Sequence, residues 1–103
     1  MNRLEQLIGI IGVLEQKFYV DILDMRIMAE AARRWGENRE VRVTDLTLMR
    51  DIASSATLHY RVTKSMVDDN IFTLRPNPDD MREKIVEPGP RYKQLIAFLE
   101  NLG

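Results

Sequence analysis

The side chains best equipped for chemistry lie between positions 54 and 84. From Ser54 to Val67 the chain carries two strong cations, Arg61 and Lys64, and no acid. Leu58, Val62 and Met66 recur at i, i+4 and i+8, the spacing of one buried helix edge. With that edge inward, Thr57, Tyr60, Arg61 and Lys64 are expected on one continuous outward face. Each suits double-stranded DNA. Arginine donates a bidentate pair to guanine, and lysine reaches guanine or phosphate. Threonine and tyrosine hydroxyls bond phosphate oxygens. Ser54 and Ser55 read as the start of this helix, where exposed backbone amides attract anions. Asp68 and Asp69 close it, although acids at a helix C-terminus oppose the macrodipole.

A second group follows. Arg75, Arg82 and Lys84 flank Pro76-Asn77-Pro78-Asp79-Asp80, a run dense in turn residues. Ile71–Leu74 and Met81–Val86 are strand candidates on either side, so the whole reads as a hairpin. Arg82 and Lys84 are two apart and are expected to project the same way. An arginine at such a tip enters a minor groove or clamps phosphate. Asp80 is placed to hold Arg82 as an ion pair, a wing-stabilising role.

Enzymatic chemistry finds little here. His59 is the single histidine and there is no cysteine, so metal clusters of the usual spacing cannot form. Asp68-Asp69 and Asp79-Asp80 are adjacent pairs, whose side chains diverge instead of facing across a cleft. No glycine-rich phosphate loop or nucleophile motif is present. The expectation is a binding protein with no cofactor and no metal, not an enzyme. His59 reads as a surface or partly packed residue, with a DNA or ligand contact as the alternative.

The elements that must position these groups are mostly helical. Leu4, Leu7, Ile8, Ile11, Leu14 and Phe18 share a helical spacing, interrupted by Glu15. Gly9 and Gly12 weaken that helix by about 1 kcal/mol each, so it needs a partner surface. Asp21 with Asp24 three residues on forms a capping-box pattern. Ile22, Met25, Met28, Ala32 and Trp35 continue as an apolar stripe, and Gly36 is expected to stop the helix. Val41-Arg42-Val43 alternates like a short strand. Thr44 and Asp45 are the cap signal for a third helix marked by Leu46, Met49, Ile52 and Ala53. The fourth runs from about Ala56 to Asp69. After the hairpin, Pro88-Gly89-Pro90 is a break, and Tyr92, Leu95, Ile96, Leu99 and Leu102 describe a last amphipathic helix.

The expected fold is therefore mainly α with a small β-hairpin: a single winged helix-turn-helix domain over 1–103. Residues 21–88 are the DNA-binding core. Residues 1–20 and 89–103 are helical arms that form a dimer. The methionines and Trp35 read mainly as core, with a small-molecule pocket beside Trp35 as the alternative.

Asp80-Met81-Arg82-Glu83-Lys84-Ile85-Val86 resembles the wing signature of the multiple-antibiotic-resistance regulator (MarR) family: Asp-x-Arg-x-Lys and two apolar residues. Ser54-Ser55-Ala56-Thr57-Leu58 is similar to that family's recognition-helix start. Met66-Val67-Asp68-Asp69-Asn70-Ile71 resembles its Leu-Val-x-x-Gly-Ile exit, with Asn70 where glycine is usual. The segment between Thr57 and Met66 is about one residue longer than in that family, and the terminal arms are shorter. The resemblance implies a homodimeric transcriptional regulator. Its recognition helices would occupy successive major grooves and its wings the flanking minor grooves. A small-molecule effector is compatible with this.

Bulk composition bounds the reading without driving it. The 103 residues are 45% apolar and 30% charged, the balance of a soluble domain. No stretch has the ~18–20 apolar residues of a membrane span, and no signal-peptide pattern opens the chain. Absence of cysteine fits a cytoplasmic location. The net charge of −1 lends DNA binding no support, since dedicated binders are often basic. A winged helix that serves protein–protein contacts is the rival reading.

Overall fold

A computed structural model describes residues 2–102. The element order is α1 (Arg3–Phe18), α2 (Ile22–Gly36), β1 (Val41–Arg42), α3 (Val43–Thr47), a composite helix, β2 (Phe72–Asn77), β3 (Asp80–Pro88) and α6 (Pro90–Glu100). The composite helix joins α4 (Ser55–Tyr60), a π-helical turn (Arg61–Ser65) and α5 (Met66–Asp68). The protein is mainly helical with one three-stranded antiparallel sheet of order β1–β3–β2, an arrangement compatible with a winged helix.

Local signals explain most boundaries. Asn2 caps α1 by accepting from the Glu5 amide at 2.8 Å. Asp21 caps α2: its Oδ1 accepts from the Asp24 amide at 2.8 Å, while Asp24 Oδ2 accepts from the Asp21 amide at 3.3 Å. The expected capping box is thus complete.

Gly36, however, does not stop α2. It is the last helical residue, and the left-handed residue is Asn38, with φ 59°. The Arg39 amide reaches the Arg34 carbonyl and the Asn38 amide reaches that of Trp35, both at 3.0 Å, the paired bonds of a Schellman ending. Asn70, φ 61°, ends the composite helix likewise. There Ile71 donates to Met66 at 2.9 Å and Asn70 to Val67 at 3.0 Å.

The third helix is shorter than expected. Leu46 is buried, but Met49, Ile52 and Ala53 lie half-buried in the connection after Thr47. Their apolar side chains still meet the core, which is why they mimic helical spacing.

The α2 stripe is also rotated from expectation. Ile27 and Ala31 have no exposed surface, whereas Ile22 is 59% exposed. α2 is a central helix with two apolar flanks. One carries Ile27 and Ala31 into the main core with Val41, Leu46, Leu58, Val62, Ile71 and Phe72. The other carries Met25, Met28, Ala29 and Ala32 into an apolar crevice of about 210 Å³ beside Leu14, Tyr92 and Leu95. Trp35 packs edge-on to Phe72 and Tyr92, at 6.1 and 5.1 Å between ring centroids.

The sheet register pairs Val41 with Val86 and Leu74 with Val86 across β3. It breaks between Pro76, opposite Lys84, and Asn77, opposite Asp80. Met81, Arg82 and Glu83 therefore have no partners in β2 and bulge from the hairpin end. Gly89 lies so close to the composite-helix exit that a Cβ would overlap the Asn70 carbonyl.

The expected arms are α1 and α6, apart from Met1 and Gly103, which lie outside the described residues. α1 is anchored at its C-terminal half, where Leu14 and Phe18 are buried and Phe18 meets Phe98 at 5.8 Å.

Candidate nucleic-acid interface

Ser54 starts the composite helix as its N-cap. Its Oγ accepts from the Thr57 amide at 3.2 Å and lies 3.0 Å from Thr57 Oγ1, to which it donates. Ser55 is half-buried. Past this cap, Ala56, Thr57, His59, Tyr60 and Lys64 are exposed, while Leu58, Val62 and Met66 are buried. The predicted inward edge is the observed one.

Arg61 departs from the predicted face. Its guanidinium turns back to the start of α2. Nη1 lies 2.7 Å from Asp21 Oδ2 and 3.0 Å from Asp24 Oδ1, and only 27% of the side chain is exposed. The cause is the acidic capping box, which presents two carboxylates to this helix. Burial raises the proton affinity of Asp24, opposed chiefly by the Arg61 hydrogen bond. For Asp21, burial also acts upward, but the Asp24 amide and Arg61 outweigh it and leave its pKa lowered.

Arg61 is also the first residue of the π turn. The Met66 amide bonds to its carbonyl, an i→i+5 closure. A π turn accommodates one extra residue within a helix without breaking it. It falls between the buried Leu58 and Met66 and keeps the two on one inward edge.

Lys64 remains exposed and pairs with Asp68 at 2.9 Å, a bond that raises its pKa. Such an i, i+4 surface pair is weak and yields readily to another anion.

At the hairpin, Arg82 is 93% exposed, with Nε 3.3 Å from Asp80 Oδ1; the same oxygen accepts from the Arg82 amide at 3.0 Å. The Asp80–Arg82 pair is as expected. Lys84 is exposed and has no ion-pair partner among the described residues. Arg75 does not join these two. Alternation along β2 puts it on the sheet face opposite Leu74, where it pairs with Glu87 at 3.1 Å and Glu40 at 3.4 Å. Leu74 faces the composite helix, so Arg75 faces away.

Between α3, the composite helix and β3 lies a cleft of about 390 Å³. Thr44 and Thr47, His59 and Thr63, and Arg82, Glu83 and Lys84 supply its polar lining. The structure therefore brings the helix and the wing together at one opening. Thr44, Thr47 and Thr63 were not among the predicted site residues, and no sequence signal marks them. Arg50 is a further cation that the sequence reading did not single out. It is exposed in the connection four residues before Ser54, without an ion-pair partner among the described residues.

Among the described residues no group of three or more histidines and acids could hold a metal, and no helix is long and apolar enough to cross a membrane. Comparison with family models, curated proteins and solved structures finds no match for this chain.

Proposed function

We propose that this protein is a winged helix-turn-helix regulator of the MarR type that binds double-stranded DNA as a homodimer. The composite helix enters the major groove, and the wing reaches the minor groove or flanking phosphates. The observation that carries this reading is the shared opening of two exposed polar surfaces. His59 and Thr63 stand on the helix side, Arg82 and Lys84 on the wing side, while Thr57, Tyr60 and Lys64 are exposed on the same helix outside this cleft. Arg50 adds a further cation beside the helix start. In this reading Ser54 and Thr57 set the helix start, Lys64 exchanges Asp68 for DNA, and Arg61 fixes the helix instead of reading bases.

The dimer reading rests on α1. Leu4, Leu7 and Ile8 are 65%, 55% and 59% exposed and continue the stripe that Leu14 and Phe18 bury. A second copy would cover them. The apolar crevice beside Tyr92 is the place for a small apolar effector. A regulator of this kind is a binding protein without a cofactor and works in the cytoplasm.

The test is affinity for duplex DNA across a salt series. Log affinity should fall linearly with log salt, with a slope set by the phosphates contacted. A protein-contact adaptor is the second reading, favoured by the exposed large side chains of Leu48, Tyr60 and Met81. Failure to bind any duplex at low salt would leave the adaptor standing.

A further inference from the structure

We propose that Met81, at the tip of the wing, is an apolar wedge that enters a base-pair step from the minor groove and bends the duplex. This rests on the DNA-binding reading and decides which part of the duplex the wing tip meets.

Met81 is 75% exposed, more than any other large apolar side chain among the described residues. Met25 and Met49 are half-buried, and Met28 and Met66 are buried. A single exposed apolar residue is ordinary on a protein surface. Position and stiffness distinguish this one. It lies in the part of β3 that has no partners in β2, at the outer end of the hairpin.

The backbone on either side of Met81 is held. Asn77 is buried, and its Oδ1 accepts from the Asp79 amide at 3.0 Å. Asp80 Oδ1 accepts from the Arg82 amide at 3.0 Å and lies 3.3 Å from Arg82 Nε. Between these two bonds Pro78 fixes a backbone angle. Such side-chain bonds, each spanning two residues, hold the turn in one shape before DNA arrives. Unstacking a base step is costly, and a preformed tip gives up little further freedom on insertion.

Charge at the tip does not suit a phosphate clamp. Asp79, Asp80 and Glu83 stand against Arg82, Lys84 and Arg42, so the two signs balance. Asp80 faces Arg82, and Glu83 faces Arg42 at 3.4 Å. Asp79 and Lys84, opposite in sign, have no ion-pair partners among the described residues. A neutral end gains little from phosphates. An apolar side chain gains by leaving water between two bases. Methionine is slim, unbranched and polarisable, and its sulfur makes favourable contacts with aromatic rings. Arg82 beside it is 93% exposed, and its surface pair with Asp80 yields readily to acceptors on the groove floor.

The experiment uses two duplexes of equal length and base composition at low salt. One has central TA steps, which kink easily, and the other an A-tract, which is stiff. Dyes at the duplex ends report bending by energy transfer, and 2-aminopurine in place of an adenine at the central step reports unstacking. Wild type should bend the TA duplex by about 20–90°, raise the 2-aminopurine signal and bind the A-tract duplex more weakly. Met81→Leu should keep all three properties. Met81→Gln, similar in size but polar, should lose the bend and the signal and bind the two duplexes alike. Met81 lies outside the core, so both variants should fold, which circular dichroism verifies. Binding of the TA duplex without a bend, a bend that survives in M81Q, or a bend lost in M81L would each overturn the wedge and leave the DNA reading intact. No binding to either duplex at low salt would overturn both.

Discussion

Arg61 and Asp24 form an ion pair at 3.0 Å that ties the composite helix to the start of α2. Only 7% of the Asp24 side chain is exposed, and Arg61 is its cationic partner. Removing the guanidinium leaves a buried carboxylate with less compensation. Arg61→Ala should therefore lower unfolding free energy by about 1–3 kcal/mol in urea titration. Arg61→Lys should recover part of this, since an ammonium can donate to both carboxylates as Nη1 does but on a shorter stem with a different reach. A fully stable Arg61→Ala protein with lost sequence preference would instead return Arg61 to base readout.

The same triad sets an acid response. Asp21 has a lowered pKa in the fold, so its contribution is present above its unfolded pKa and is lost as pH falls. Asp24, raised chiefly by burial, acts in the opposite sense: protonation relieves a cost, so its contribution grows as pH falls. The two partly cancel below about pH 5. Asp24→Asn removes the compensating group and frees Arg61 for Asp21 alone. Stability of that variant should fall more steeply with acid than wild type, as followed by thermal melts between about pH 5 and pH 3. Parallel curves would show that Asp24 does not titrate against Asp21.

Gly89 and Asn70 couple the wing to the helix exit. The Gly89 amide donates to the Ile71 carbonyl at 2.8 Å, and the Arg91 amide to that of Asn70 at 2.9 Å. Gly89→Ala forces a methyl into the Asn70 carbonyl, and backbone cannot yield as a side chain can. A loss of about 1–3 kcal/mol is expected. Asn70→Gly should be neutral or stabilising by up to about 1 kcal/mol, because glycine accepts φ 61° without a Cβ. Chemical denaturation of the two variants should move in these separate directions.

Much of this was legible because local chemistry dictated it. The Asp21–Asp24 box, the Ser54 cap and the Leu58–Val62–Met66 edge each follow from residue types at fixed spacing. What escaped was set by tertiary partners. Arg61 sits at an outward α-helical spacing, but two acids forty and thirty-seven positions upstream claim it. Arg75 belongs to the hairpin in sequence, yet strand alternation sends it to Glu40 and Glu87. Gly36 is a common helix stop, but Asn38 took the left-handed position two residues later. The cleft is built from three elements distant in sequence, so no single motif announces it.

The exposed end of α1 supplies the remaining prediction. Leu4, Leu7 and Ile8 lie on the helix face that Leu14 and Phe18 bury further along, so the stripe continues past the point where the protomer covers it. The longest axis of the protein, 50 Å, is nearly twice the others, at 26 and 25 Å. Each large aliphatic side chain moved from water into an interface contributes about 1.5–3 kcal/mol, and twofold symmetry counts every residue twice. Leu7→Glu with Ile8→Glu should therefore convert a dimer to monomers in sedimentation at micromolar concentration. The fold should survive, because neither residue is part of the protomer core. DNA affinity should drop in parallel, since one protomer engages only one half-site. If the double variant sediments as an intact dimer, the second copy binds elsewhere and this face is not its seat.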